Sequence, residues 1–196
     1  PISLKKTKIK KLASIIKENE IQKRINVFTK QTSESLKKYM INKFQHQISA
    51  PAGFLIVDSI REVLNLRRDT KKSTQRILIS TFESDPTIEN IILEQNKISK
   101  KYISSTLEGS FVCVEERATL YVDSLQEDGK KTINIKGLWT MKGDFMGGAF
   151  LSSLIFSPIT QSQILVTFYL YAPGEKKAEH LMNADAILKS ITPINN

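Results

Sequence analysis

The stretch KGDFMGGAF, residues 142–150, is where this chain comes nearest to a chemical site. Asp144 stands before the pair Gly147 and Gly148, with Lys142 on its other side and the single tryptophan, Trp139, just upstream. Backbone amides of a glycine pair can cradle an anion, and a few convergent polar groups beside an aromatic ring suit a small anion or a sugar. Trp139, Lys142, Asp144, Gly147 and Gly148 are therefore candidate ligand-binding residues. Arg67, from the pair Arg67-Arg68, joins them as an anion contact. The same residues admit an architectural reading. Gly143 and Asp144 make a turn, Gly147 and Gly148 form a bulge over which an aromatic packs, and the arginines guard a solvated strand edge. The sequence leaves both readings open.

Catalysis needs convergent groups, and the other reactive residues lie apart. His46, beside Phe44 in a basic stretch, reads as a surface helix histidine; His180 reads as exposed near the start of the last helix. Cys113 is the lone cysteine, so it has no internal disulfide partner, and a structural zinc needs about four ligands. Its apolar neighbours in SFVCVEE suggest a buried, inert thiol. Glu115-Glu116 and Glu127-Asp128 are adjacent pairs, and strand neighbours point to opposite faces. There is no Ser-His-Asp order, phosphate loop or metal-ligand box. The expectation is a chain that is not an enzyme and carries no metal and no cofactor.

The elements that must position these residues fall into two parts. The 196 residues allow one sizeable domain plus an appendage. Residues 1–47 hold 12 Lys+Arg against three acids, and this segment accounts for the whole net charge of +9. Such a segment suits an anionic surface, lipid headgroup or nucleic acid, or is a solvated helix face. Nucleic acid is not the expected partner, because no aromatic-studded sheet surface or known motif accompanies the charge. No apolar run approaches the roughly 18 residues of a membrane-spanning helix. The start, PISLKKTKIKK, is basic without an apolar core, so it reads as the start of a trimmed piece and not as a signal peptide.

Between Thr7 and Gln47 there is no Gly or Pro. Leu12, Ile15, Ile16, then Ile21, Ile25, Phe28, then Leu36, Tyr39, Met40, Phe44 recur at helical spacing. Thr32 to Ser35 offers caps for a second helix, so the segment reads as a helical hairpin or one kinked helix with an apolar stripe to dock. A Pro/Gly break at 49–53 then opens a second part, residues 48–196. Residues 54–58, 63–68 and 76–82 read as strands. A helix follows with Asp85 as cap and Pro86 in its first turn. One or two strands lie in 110–122, a turn at 127–130, and strands at 131–141, 149–156 and 163–171, the last two forming a hairpin around 157–162. A final helix spans 175–191. The pattern predicts an α+β class: a mainly antiparallel sheet flanked by helices and preceded by the N-terminal helical segment.

Four blocks occur in order: GLW at 137–139, FMGGAF at 145–150, YAP at 171–173 and AIL at 186–188. With APAGF, LNLRR, RILI and EGSF upstream, they resemble a family of bacterial, Bacteroidetes-type lipoproteins of unknown function, over roughly residues 12–191. Ala149 stands where that family has Pro, Lys136 where it has Arg, and Asn65 where it has Trp. The resemblance implies a lipoprotein secreted to the periplasm or outer membrane, held to the membrane only by a lipid anchor outside this chain. The expected partner is a protein or envelope component, or a missing N-terminal region of the same protein, and the expected role is binding or assembly. A small-molecule or glycan site at Trp139–Phe150 is the alternative. The order of elements after residue 50 also looks like PsbP-like domains, which layer helices on an antiparallel sheet.

Overall fold

The computed structural model describes residues 2–58, 62–103, 105–127, 130–157 and 161–194. The N-terminal segment is two helices, α1 (Ile2–Gln31) and α2 (Glu34–Phe44). Ser33 caps α2, its hydroxyl accepting the Leu36 N–H. Short strand β1 (His46–Gln47) leads into β2 (Leu55–Asp58), β3 (Val63–Asp69) and β4 (Thr74–Thr81). Helix α3 (Ile88–Tyr102) precedes β5 (Phe111–Val114), β6 (Tyr121–Glu127), β7 (Lys130–Lys142), β8 (Gly147–Phe156) and β9 (Gln163–Tyr171). Helix α4 (Ala178–Lys189) and β10 (Thr192–Pro193) complete the described chain.

Eight strands make one antiparallel sheet in the order β2-β3-β4-β9-β8-β7-β5, with β6 also on β7. The long β7 is shared: its first half pairs with β6 and its end with β5. The expected α+β class with a mainly antiparallel sheet between helical layers is what forms. Strand alternation sends Leu64, Leu66, Ile77, Ile79, Val166 and Phe168 to one face, where α1, α2 and α4 cover them. Leu78, Leu165, Phe150, Ile135 and Trp139 go to the other face, under α3.

The helical segment shares its core with the sheet. Ile21, Phe28, Leu36, Met40 and Phe44 are buried in the same cluster as the β3, β4 and β9 residues. Each such side chain contributes roughly 2 kcal/mol of transfer free energy. Thr32 pins the helix junction by donating to the Phe28 carbonyl at 2.7 Å and accepting the Ala50 N–H at 2.9 Å. The apolar stripe docks only from Ile21 onward; Ile9, Leu12, Ile15 and Ile16 are exposed.

Three local readings are corrected. The α3 cap is Thr87, whose hydroxyl accepts the Asn90 N–H at 3.2 Å, so Asp85 and Pro86 lie outside the helix. The last helix begins at Ala178, after a turn at Gly174 with φ +74°. His46 is fully buried, because β1 pairs with β10 and covers it; its Nδ1 donates to the Phe44 carbonyl at 2.5 Å. Of the expected turns, Asp128, Gly129 and residues 158–160 lie outside the described residues.

Asp185 is the clamp between layers. It sits on α4, pairs with Lys17 of α1 at 2.9 Å and with Lys136 of β7 at 2.7 Å, and is itself largely buried. Burial alone would raise its carboxyl; hydrogen bonds from Lys136 and Lys17 and their charges outweigh that and hold it below the usual range. A depressed carboxyl stabilises the fold above its unfolded pKa of about 4, and that stability is lost as pH falls through the lower folded value. Asp185→Asn is therefore expected to cost about 2 kcal/mol at pH 7. Urea denaturation of both proteins from pH 7 to pH 3 should show the gap closing below about pH 4; a constant gap would refute the clamp.

Candidate ligand-binding cleft

The turn expected at Gly143-Asp144 is present. Gly143 has φ +82°, the left-handed region that favours glycine, and Asp144 N–H donates back to Met141. The bulge is not. Gly147 pairs with Thr140 and Gly148 with Trp139 in an unbroken β7–β8 register, so the glycines belong to β8. A register shift occurs instead in β2–β3, between Ile56 and Asp58.

Gly148 has a spatial task. Trp139 lies across the backbone of β8, and its Nε1 donates to the Leu170 carbonyl on β9 at 3.2 Å. A Cβ on Gly148 would stand 2.0 Å from that oxygen and 2.9 Å from the indole nitrogen. The glycine is the gap through which the indole reaches β9. There Trp139 meets Tyr169 edge-on at 6.5 Å and Tyr171 at 6.3 Å.

Beside these rings lies a cleft of about 460 Å³ on the α3 face, past the end of that helix. Trp139, Met141, Met146, Tyr169 and Tyr171 give it apolar walls; Arg67, Thr74, Arg76 and Asp144 give it polar corners. Its volume falls in the range of small-molecule sites, roughly 300–1,000 Å³. Its scaffold is rigid. Ser99 of α3 donates to the Val112 carbonyl at 2.9 Å, and Asn96 accepts the Val114 N–H at 2.8 Å, locking α3 onto β5.

The register of the central strands brings the polar corner together. Arg67 on β3 stands directly opposite Arg76 on β4, which stands opposite Tyr169 on β9. Arg67 pairs with Asp69 at 2.7 Å. Burial would raise the Asp69 carboxyl, but the Thr74 hydroxyl, Arg67 and the Arg76 charge hold it below the usual range. Arg76 is half-buried; burial first, and Arg67 second, pull its pKa down, against the opposing charge of Asp69. Burial pushes the Tyr169 hydroxyl far above its usual range, so it stays protonated; Ser99 and Gln95 oppose this less strongly.

Of the six candidates, Trp139, Asp144 and Arg67 line the cleft. Lys142 does not: strand alternation puts it on the other face from Met141, with Cys113 and Phe111. Gly147 and Gly148 do not line it either, and their place in the ladder leaves no amide nest. The Arg67 strand is not an edge, since β2 flanks it. Phe145, at the hairpin tip, is fully exposed, while Trp139 is 5% exposed. Cys113 is buried, and burial raises its thiol above the usual range. His180 is half-buried, 3.3 Å from Gln75. Arg76, Tyr169 and Tyr171 were not candidates, because they sit inside apolar strand runs.

A second hollow of about 570 Å³ lies between α1 and strands β6–β8. Its size alone would favour it. Five of its six charged side chains, however, already satisfy one another: Asp185 holds Lys17 and Lys136, and Lys189 holds Glu18, which leaves Asp123. It is a polar seam between layers.

The model of the family described as "Domain of unknown function (DUF4837)" matches residues 33–190. The chain belongs to this DUF4837 family. The matched region starts at the α2 cap and includes every residue of the cleft, while α1 precedes it. No curated protein matches the chain. A crystal structure of the Saccharomyces cerevisiae Ran-binding protein Mog1p is similar at 8% identity, with TM-score 0.46, covering 77% of this chain and 91% of that one. So distant a likeness carries no functional weight. No helix among the described residues is long and apolar enough to cross a membrane.

Proposed function

We propose that this DUF4837 protein is a non-catalytic binding module that takes a small molecule, or a small group of an envelope component, into the cleft beside Trp139. The observation that supports this is a hollow of about 460 Å³, walled by three aromatic rings and two methionines on a rigid sheet. Its lining holds one carboxylate, Asp144, and two arginines, with no His, Cys or Lys among the described lining residues. That composition suits orientation of a ligand better than proton transfer, which needs a positioned base. An envelope location belongs to the same proposal and rests on the lipoprotein resemblance. Labelling with a palmitate analogue in the native host tests it, and an unlabelled protein in the cytosol would overturn it.

The basic helices support a partner surface less well. Lys17 and Arg24 turn toward α4, where Asp185 and Glu179 take them. At 3.6 residues per turn, Lys8, Lys11, Lys23 and Lys30 fall within one arc of about 120° on a side away from these two. Lys23 in that arc is paired with Glu20 at 2.9 Å, so three of these six cations are neutralised within the protein.

The single tryptophan makes the test direct. Protein labelled with 5-fluorotryptophan has one fluorine signal, at the cleft wall. Pools of small polar and aromatic fragments are expected to move it saturably. Thr106→Tyr, a change on the exposed cleft wall, should weaken the hits at least tenfold. No movement from any pool, or hits indifferent to Thr106→Tyr, would reject the reading.

A further inference from the structure

The two arginines of the cleft narrow the ligand class. In an antiparallel pair, residues directly opposite have Cβ atoms about 5 Å apart, and like charges there are destabilising. Arg67 and Arg76 are such a pair. Asp69 relieves Arg67. It does not pair with Arg76, and among the described residues no carboxylate lies within ion-pair distance of that guanidinium. One terminal nitrogen of Arg76, Nη1, donates to neutral acceptors only, Asn65 Oδ1 at 3.3 Å and the Tyr102 carbonyl at 3.1 Å. These two bonds fix the guanidinium at the cleft wall. Its other nitrogens, Nε and Nη2, have no protein acceptor among the described residues. A half-buried guanidinium, held at the wall and paired with no carboxylate among the described residues, presents the donor fork that binds carboxylate or phosphate in two parallel bonds.

The remaining charges facing the cleft agree. Asp144 lies on the β7–β8 hairpin, on a different wall, and its Oδ1 already accepts the Phe145 N–H at 2.7 Å. The arginine end is thus net positive even after Asp69 is counted. Between the two ends lie Tyr171, Trp139, Met141 and Met146.

We propose that the cleft binds an amphipathic anion: a carboxylate or phosphate on the fork of Arg76, with Arg67 beside it, and an apolar or aromatic body against Tyr171, Trp139 and Met146. This rests on the cleft being the ligand site. The anionic group supplies the counter-charge that Arg76 lacks. The body packs on the apolar wall, where Tyr171 and Met146 keep part of their surface exposed and Trp139 shows only an edge.

The test uses three probes of one shape on the fluorotryptophan-labelled protein at fixed ionic strength: benzoate, phenyl phosphate and neutral benzamide. At least one anion is expected to bind tenfold or more tightly than benzamide, and which one does so separates carboxylate from phosphate ligands. Arg76→Gln should abolish that preference. Arg67→Gln should reduce it in part. Raising the salt concentration should weaken the anion and spare benzamide in the unaltered protein, which keeps the test decisive if a variant folds poorly. A purely structural Arg76 would instead lower the melting temperature without changing the preference. Equal binding of all three probes, or a preference that survives Arg76→Gln, overturns the anion class and leaves the cleft as a site. If none of the three moves the Trp139 signal while other fragments do, the anion class alone fails. If nothing moves it, both readings fail.

Discussion

Gly148→Ala is expected to destabilise the protein by about 3 kcal/mol or more, one of the largest effects available from a single methyl group. The backbone conformation of Gly148 is ordinary, so the effect is spatial. The new Cβ would meet the Leu170 carbonyl oxygen at 2.0 Å, the Leu170 carbonyl carbon at 3.1 Å and the Trp139 nitrogen at 2.9 Å. Two of these atoms are backbone of the neighbouring strand, which cannot swing away as a flexible side chain would. Relief requires β8 to part from β9 or Trp139 to leave its slot, and either removes the indole bond to Leu170. Gly147→Ala is the control. Its Cβ would come close to the Trp139 carbonyl, at 3.0 Å, and meet Thr140 Cα at an ordinary 3.9 Å, and about 1 kcal/mol is expected. Chemical denaturation followed by tryptophan emission measures both. A Gly148→Ala protein within 0.5 kcal/mol of the parent would mean that the glycine is not the gap through which Trp139 passes.

Met40→Lys is the second large effect. Met40 sits on α2 with no exposed surface, packed in the core that α1, α2 and α4 share with the sheet. A lysine there loses the methionine packing and must either bury an unpaired charge or force the helix off the sheet, at a cost of about 4 kcal/mol. Trp139 lies on the opposite face of the sheet, under α3. If the helical layer and the sheet are one cooperative unit, the helix signal in circular dichroism and the Trp139 emission must shift together in urea. A Trp139 transition left in place while the helical signal is lost would show that the segment before residue 48 unfolds on its own.

Much of this architecture could be read in the residues. RILIST and ILVTFYLY are rich in β-branched and apolar residues, so β4 and β9 declared themselves as strands. The helical spacing of Ile21, Ile25 and Phe28 marked the docking face of α1. What escaped depended on residues far apart in the chain. His46 is buried by a strand pair with Thr192–Pro193, which no local pattern announces. Gly147 and Gly148 looked like a bulge because glycine inside a strand pattern usually marks one; their place in the unbroken ladder of β8 goes with Trp139 crossing from β7. Arg76 was legible in principle. Residues 70–73 form a tight loop that pairs Asp69 with Thr74, and counting back along both strands sets Arg67 against Arg76. The cleft itself needs β4 beside β9, a neighbour relation that the order of strands in the chain does not suggest.

That seam between β4 and β9 also bears on how the molecule reaches its final form. The strands on either side of it, β2 to β4 and β7 to β9, can zip up as local hairpins with short loops. The seam joins Thr74 to Tyr171 and Thr81 to Ile164, so it must close the whole intervening chain and bear the largest loop entropy. Arg76 stands on one bank of the seam and Tyr169 on the other. The wall of the cleft is therefore assembled by the pairing step with the largest loop to close. A ligand of the proposed kind, spanning that seam, is expected to lengthen the lifetime of the folded chain by holding shut the junction that closes last on the way in and opens first on the way out.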